Sequence, residues 1–523
     1  MRSTFMGLEI SKRGMFTQQG ALHTTGNNIA NVNTPGYSRQ RINFEATTPY
    51  PSIGMSRPQI PGQMGTGVQA GSVQRIREGF LDTQYRQENN KLGYWESRAN
   101  ALEKMEEIMN EPSDAGLSKT LDRFWQSLQD LAINPTNAGA RSVVRERGIA
   151  VADTFKYLSK SLNQIQNDLK TELNVSKDEL NSIANQLNSI NKQISEIEPH
   201  GYLPNDLYDQ RDLLLDKLSS LVNIKVTNHP SGGNALKIAE GIVTVEIVDD
   251  SGKSLGTLVD GEQQSVNELS IGYAGEEDGG LVQTISIGTD EINILDFNSM
   301  GKISSLIDSY GYGDQEGLFT NMLNKLDVMA FDFAKEFNKI HNEGLGLTLE
   351  AGTDKLIIDK DNRYNFFSFG TDGSGTDIML SDSKGAAGLI QISKAIKDST
   401  NHIAASLDSA DTTAGNGGNA LKLAEVKNNP FMIDGTSTTF QNYYEGVIGG
   451  MAVNAQEAER LSGNSMLLRD SVDQRRQSVS AVSLDEEMTN MIQFQHAYNA
   501  SARMITLQDE ILDKIINGMG LSR

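Results

Sequence analysis

The chain opens on a narrow apolar stripe. Phe5, Leu8, Lys12, Met15, Gln19, Leu22, Gly26 and Ile29 recur at alternating spacings of three and four. Leu8, Met15, Leu22 and Ile29 are all apolar, while three of the four intervening positions are not. This is half of a coiled-coil seam, and a helix so poorly covered is marginal alone in water. The same spacing returns at the other end, through Leu484, Met488, Met491, Gln495, Tyr498, Ala502, Ile505, Asp509, Leu512 and Ile516. Asp485, Glu486 and Glu487 fill the first turn there, where negative charge suits the helix dipole, and Gly518 offers a stop. The pattern predicts that the two termini meet in one coiled-coil-like unit and are disordered before assembly. Two amphipathic helices on separate cores remain the plainer alternative.

Between the ends the period changes several times. Residues 33–71 hold Pro35, Pro49, Pro51, Pro58 and Pro61 with Gly36, Gly54, Gly62, Gly65, Gly67 and Gly71, which reads as extended linker or irregular strand. Residues 91–228 read as helical. One helix carries Leu92, Trp95, Ala99, Leu102 and Met109 to Glu111-Pro112. A second carries Leu117, Leu121, Phe124, Trp125, Leu128 and Leu131 to Asn134-Pro135. A third keeps three-four spacing from Phe155 to Ile197, and a helix from Asn137 to Ile197 reaches about 90 Å. A further helix covers Asp206 to Leu221, and Trp95 and Trp125 read as core anchors between the first two bundle helices.

Residues 224–300 switch to a two-residue period rich in Ile and Val, predicting a small β insert. Helix returns over Leu318–Ile340. Residues 345–417 read as short strands, glycine turns and one helix near 384–406, and helical pattern resumes over 420–475. The expected fold is mainly α with β inserts, elongated and multi-domain. Its boundaries fall at 1–50 plus 479–523 for a terminal-helix unit, and at 51–228 plus 301–344 plus 418–478 for a helical bundle. Residues 229–300 form a β insert and 345–417 a second small α+β insert.

Charge sharpens this layering. Acids outnumber bases 68 to 46, a net of -22, which argues against nucleic-acid or anionic-membrane partners. Residues 229–300 hold 13 Asp/Glu against 2 Lys, whereas residues 1–100 hold 11 Lys/Arg against 6 Asp/Glu. Cysteine is absent, which removes disulfides, zinc-thiolate sites and thiol nucleophiles. No apolar run reaches the ~18 residues that a spanning helix needs. Glu9 and Gly7 interrupt what would be a signal core behind Arg2, so a cleaved secretory signal is not expected.

Familiar chemical motifs fail on inspection. The six histidines are scattered, with no His-x-x-x-His pair, so no metal site is expected. Gly65-Thr66-Gly67 mimics a dinucleotide fingerprint without the preceding buried strand, and Gly252-Lys253-Ser254 lacks the first glycine of a phosphate loop. Asp359-Lys360-Asp361 starts like a calcium loop, but Tyr364 and Gly370 stand where glycine and a bidentate acid belong. No Gly-x-Ser-x-Gly elbow occurs. No catalytic residue or cofactor is assigned.

Residues 26–40 read GNNIANVNTPGYSRQ. This resembles the N-terminal signature of flagellar axial proteins, the rod, hook and hook-associated family. The match is carried by Asn27, Asn28, Ala30, Asn31, Thr34, Pro35, Gly36 and Tyr37. Residues 65–86, PNDLYDQRDLLLDKLS (204–219), FNKIHNEG (337–344) and the Asp-Glu-Glu-Met segment of 483–505 are similar to the same family. In the 204–219 motif, Asn205 reads as a helix cap and Arg211 as the partner of nearby acids.

The resemblance implies a structural, non-enzymatic protein, exported uncleaved and unfolded, that joins hook to filament through its terminal helices. Implied partners are copies of itself, the hook protein, the next hook-associated junction protein, and an export chaperone holding the C-terminal region. The residues expected at the assembly interface are Leu8, Met15, Leu22, Ile29, Leu484, Met488, Met491, Tyr498, Ile505 and Leu512. A hook or rod protein remains open within the family. So does a surface module whose inserts bind glycan or cleave cell wall.

Overall fold

The protein is described from a computed structural model covering residues 5–518 except 52–61, 110–115, 276–279, 351, 354, 373–374 and 409–412. Gly54, Pro58 and Pro61 of the expected linker lie outside the described residues, as does the expected stop at Glu111-Pro112.

Helix α1 (Met6–Ala30) is followed by strands β1 (Gln40–Ala46) and β2 (Val68–Arg75), paired antiparallel with a bulge at Asn43/Phe44. The expected linker therefore includes a hairpin. Four helices follow: α2 (Gly79–Met109), α3 (Leu117–Ile133), α4 (Ala138–Ile197) and α5 (Asn205–Leu221). The first begins earlier than the apolar spacing indicates, because the turns from Gly79 to Asn90 bury polar side chains such as Asp82, Asn89 and Asn90. The long helix starts where its cap dictates. Asn137 Oδ1 accepts from the N–H groups of Gly139 (2.8 Å) and Ala140 (3.2 Å). Its expected apolar stripe, from Phe155 through Leu162, Leu173, Leu180 and Leu187 to Ile194, is buried.

Seven strands come next: β3 (Ile224–His229), β4 (Ile242–Val248), β5 (Ser254–Asp260), β6 (Ser265–Val266), β7 (Leu269–Tyr273), β8 (Val282–Ile287) and β9 (Asp290–Asn293). They form a four-stranded sheet in the order β3-β4-β5-β6 and a three-stranded sheet β7-β8-β9, all antiparallel. Val245, Ile247, Leu258, Val259, Ile285 and Ile287 are buried with the bundle core.

Helices α6 (Lys302–Tyr310) and α7 (Leu318–Glu343) return to the bundle. The second insert holds strands β10 (Gly344–Leu349), β11 (Leu356–Asp359) and β12 (Phe367–Ser368), the turn α8 (Ala386–Leu389), β13 (Gln391–Ile392), α9 (Lys394–Asp398) and β14 (Ser406–Leu407). The single helix expected near 384–406 is thus replaced by two short turns and a strand. Ser393 caps α9, its side chain accepting from Ile396 N–H, and so restarts the chain where the periodicity looked continuous. A second correction falls just beyond. Helix α10 (Gly418–Glu425) is separated from α11 (Phe440–Ser480) by a hairpin of β15 (Phe431–Ile433) and β16 (Thr436–Thr438), turning at Asp434-Gly435 with both residues at positive φ. The chain closes with α12 (Leu484–Gly518).

The core centres on aromatic rings. Phe124 of α3 lies 5.3 Å from Phe337 of α7, 5.8 Å from Phe366 and 6.1 Å from Phe367. Trp125 is buried as expected, but its ring contacts are Phe124, Phe333 and Phe337, so it anchors α3 to α7 rather than to α2. Trp95 is only half-buried, edge-on to Tyr94.

Helix α11 packs along α2 and carries Gly446, Gly449 and Gly450 in its interior, where an added Cβ meets nothing within 4 Å. Each glycine costs about 1 kcal/mol relative to alanine in a helix. Gly449→Ala is therefore expected to raise stability by roughly 0.5–1 kcal/mol, read as a higher urea midpoint.

Candidate assembly interface

Helices α1 and α12 lie against each other in opposite directions. The ideal Cβ position of Gly7 falls 2.9 Å from the Gln508 side chain, and that of Gly14 falls 3.1 Å from Ser501 Oγ. Asn28 Nδ2 donates to Glu487 Oε2 (3.1 Å). The steps are seven and fourteen residues on both helices, rising on one and falling on the other. Small residues at Gly7 and Gly14 let the helices approach. The hairpin covers a neighbouring strip of α1, with Thr17 Oγ1 on the carbonyl of Val68 (3.3 Å) and Phe44 edge-on to Phe494 of α12 at 5.9 Å.

The expected interface residues divide. Leu8, Met15, Leu22 and Ile29 are half-buried, each one residue beyond the close-packed Gly7, Gly14, Ala21 and Asn28. Met491, Tyr498 and Ile505 are half-buried and Leu512 is buried. Leu484 and Met488 are 46% and 56% exposed. The expectation of disordered ends differs from the structure, in which both are helices. The closest approaches of the seam are made by small and polar residues, Gly7 against Gln508 and Gly14 against Ser501, with the Asn28–Glu487 hydrogen bond, and an apolar count does not register them.

Several apolar side chains of α12 stay exposed beside its contact with α1. Met488, Ile492, Met504, Leu507, Ile511 and Ile515 are all exposed, Ile492 by 55%. Apolar spacing selected only Met488 of these. The three- and four-residue steps from Met504 to Ile515 were readable, but the heptad frame running through Asp509 passed them by.

The asparagine motif forms the joint between this helical pair and the bundle. Asn28 is buried and closes a ring with β1: its Nδ2 donates to the Gln40 carbonyl (2.8 Å), and its Oδ1 accepts from Gln40 N–H (3.0 Å) and from Tyr37 OH (2.8 Å). Asn31 Nδ2 donates back to Asn27 Oδ1 (2.9 Å), while Asn31 Oδ1 accepts from Thr34 Oγ1 (3.1 Å). Asn27 and Ala30 themselves are exposed, as are Thr34, Pro35 and Gly36. Gly36 takes φ 80°, and a Cβ there would approach Leu213 of α5 to 3.3 Å. Arg39 then clamps α12, with Nε on Glu487 Oε1 (2.7 Å) and Nη1 on Glu486 Oε2 (2.5 Å). Burial, reinforced by Asp209, Asp206 and Glu487, pushes the Tyr37 hydroxyl up, so it stays a donor.

Beneath the joint lies a buried ionic network that apolar patterning did not reveal. Arg75 contacts Asp209 (2.7 Å), Asp212 (3.0 Å) and Glu240 (2.5 Å). Asp212 also meets Arg77 (3.2 Å) and Arg86 (3.3 Å), and Arg476 of α11 reaches Asp216 (2.5 Å) while stacking over Tyr85 at 3.9 Å. Burial opposes ionisation of Asp212, yet Arg77, Arg75, Arg211 and Arg86 hold it well below the usual carboxylate range. Burial pushes Asp209 up against the pull of Arg75. Arg211 pairs with Glu240 (2.5 Å), as its motif suggested. Asn205 is not the cap of α5; its Nδ2 donates to the Val73 carbonyl (3.0 Å) in the hairpin. The 65–86 and 204–219 segments are therefore the two halves of one structure.

Among the described residues no helix is long and apolar enough to cross a membrane. The family described as "Flagellar hook-associated protein FlgK helical domain" matches residues 102–355. Two further families, "Flagella basal body rod protein" and "Flagellar basal body rod FlgEFG protein C-terminal", match residues 8–37 and 473–518. The chain is 50% identical to flagellar hook-associated protein 1 of Bacillus subtilis over 100% of its own length and 99% of that protein. It is 23% identical to the protein of that name from Salmonella typhimurium, over 96% and 98% of the two chains. The flagellar hook protein FlgE of Treponema pallidum is 34% identical across only 16% of this chain. The solved flagellar hook junction protein FlgK of Burkholderia pseudomallei superposes with a TM-score of 0.54 at 14% identity, covering 77% of this chain and 100% of that one, and so shares the fold. Full-length identity of this order, with the helical-domain match between the two shared ends, shows that the chain belongs to the flagellar hook-associated protein 1 family.

Proposed function

We propose that this protein is a structural subunit of the bacterial flagellum that forms the junction between hook and filament by self-assembly of its terminal helices. The observation that carries this reading is the exposed apolar surface of α12, left uncovered although the helix already packs against α1. A single chain gains nothing from such a surface, whereas a ring of copies buries it. The terminal unit then forms the inner wall, the bundle a middle layer, and the acidic 229–300 insert the outer surface. Copies of itself, the hook protein and the next junction protein are the proposed partners. A chaperone covering the C-terminal region before export would shield the same exposed side chains, and export would place the protein outside the cell.

Ile492→Lys tests the reading. The variant is expected to keep its helical circular dichroism and to associate roughly 30-fold or more weakly. Cells carrying it are expected to retain hooks and lose filaments. Normal filaments would sink the proposal, and loss of hooks would favour a hook or rod role.

A further inference from the structure

Two buried basic side chains, one neutral and one charged, hold one short stretch of the second insert. His341, in the last turn of α7, is 1% exposed. Its Nδ1 lies 2.7 Å from the Tyr364 carbonyl, and its Nε2 lies 2.9 Å from the backbone nitrogen of Ala404. A carbonyl only accepts and an N–H only donates. Nδ1 therefore carries the proton and Nε2 offers its lone pair, and the imidazole is neutral. Arg141, near the start of α4, is 0% exposed and takes four carbonyls: Pro135 (2.6 Å), Thr400 (3.2 Å), Asn401 (3.2 Å) and Ile403 (2.8 Å). Residues 400–404 are thus fastened from both helices, by one lone pair and one guanidinium.

Protonating Nε2 would aim a second hydrogen at the Ala404 N–H. It would also place a positive charge near Arg141, the charged group acting on the ring, inside a site closed by the Phe366 ring at 5.6 Å. Tyr364 and His402 stack on each other at 4.3 Å on the insert side. His402 Nδ1 already donates to the Ala395 carbonyl (2.8 Å), a bond that survives protonation of that ring.

We propose that His341 is an acid switch whose protonation releases residues 400–405 from the ends of α4 and α7 and loosens the second insert while the bundle stays folded. Burial, with Arg141 adding to it, lowers the group to about 4, whereas an unfolded histidine titrates near 6.5. The released state binds the proton that the closed state refuses. Closure is therefore strongest above pH ~6.5 and weakens as the pH falls towards 4.

Amide hydrogen exchange of the full chain, corrected for intrinsic rates, tests this. Between pH 7.5 and 4.5 the protection of residues 400–405 is expected to fall on the order of 100-fold, with α2 and α11 unchanged. His341→Gln, which donates and accepts but does not titrate in this range, is expected to flatten the response, and His402→Gln to preserve it. A flat profile in the unmodified protein, an unchanged fall in His341→Gln, or loss of the response in His402→Gln each overturns the proposal. If His341→Gln does not fold, nitrogen NMR of the unmodified protein decides. Protonation of His341 must then coincide with the loss of protection, and titration at a different pH overturns the switch.

Discussion

Asp212→Ala is expected to remove about 3–5 kcal/mol from the stability of the bundle, the cost of breaking a buried ion pair from one side. The carboxylate stands within 3.0–3.3 Å of the guanidinium groups of Arg75, Arg77 and Arg86. Removing it leaves three cations facing one another in a site nearly closed to water. Asp212→Asn keeps the shape but loses the charge, so most of the loss should persist. Because this acid titrates well below its unfolded value, its contribution is complete above pH ~4 and declines as the pH drops further. The first urea-unfolding midpoint measures the effect. A change below ~1 kcal/mol in Asp212→Ala would show that Asp209, Asp216 and Glu240 suffice for the arginines, and would remove the network from the forces holding hairpin to bundle.

Phe124→Ala is expected to cost about 3–5 kcal/mol, through lost transfer energy and the cavity left behind. The ring is fully buried and packs against aromatic side chains from α7 and the second insert. It ties α7 and the second insert, whose rings lie more than 200 residues further along the chain, to α3. Phe124→Leu refills most of the volume and should recover a substantial share. Equal stability of the alanine variant and the parent protein would mean that the neighbouring rings collapse into the gap, which close-packed interiors rarely permit.

These two sites mark where the sequence was legible and where it was not. The stripe of α4 could be read directly, because its buried residues are apolar at regular spacing and Asn137 announces the start. Phe124 was visible as part of the α3 stripe, although its partners were not. The α1–α12 seam was legible as a pairing of ends but misaligned by one residue on α1, because Gly7, Gly14 and Asn28 build the close approach. Hydropathy gives weight to Leu8 and Met15, whereas helix–helix distance is set by what is small. The ionic network was illegible for a different reason. Arg75, Arg77 and Arg86 resemble solvated surface charges until α5 brings Asp212 and Asp216 among them, and that long-range pairing has no local signal. The turns at Ser393 and Asp434-Gly435 broke helical patterns through side-chain caps and positive φ, which apolar periodicity cannot see.

The meeting of α1 with α12 has a consequence in time. Asn28 finds its partner Glu487 459 residues later. A chain made or delivered from its first residue onward holds α1 incomplete until almost everything else has arrived. Closing so long a loop is entropically slow. A copy cut short anywhere before α12 keeps Gly7 and Gly14 uncovered and leaves Arg39 without its acids. The closed terminal pair is thus a test of sequence order: only a molecule carrying both α1 and α12 can present it.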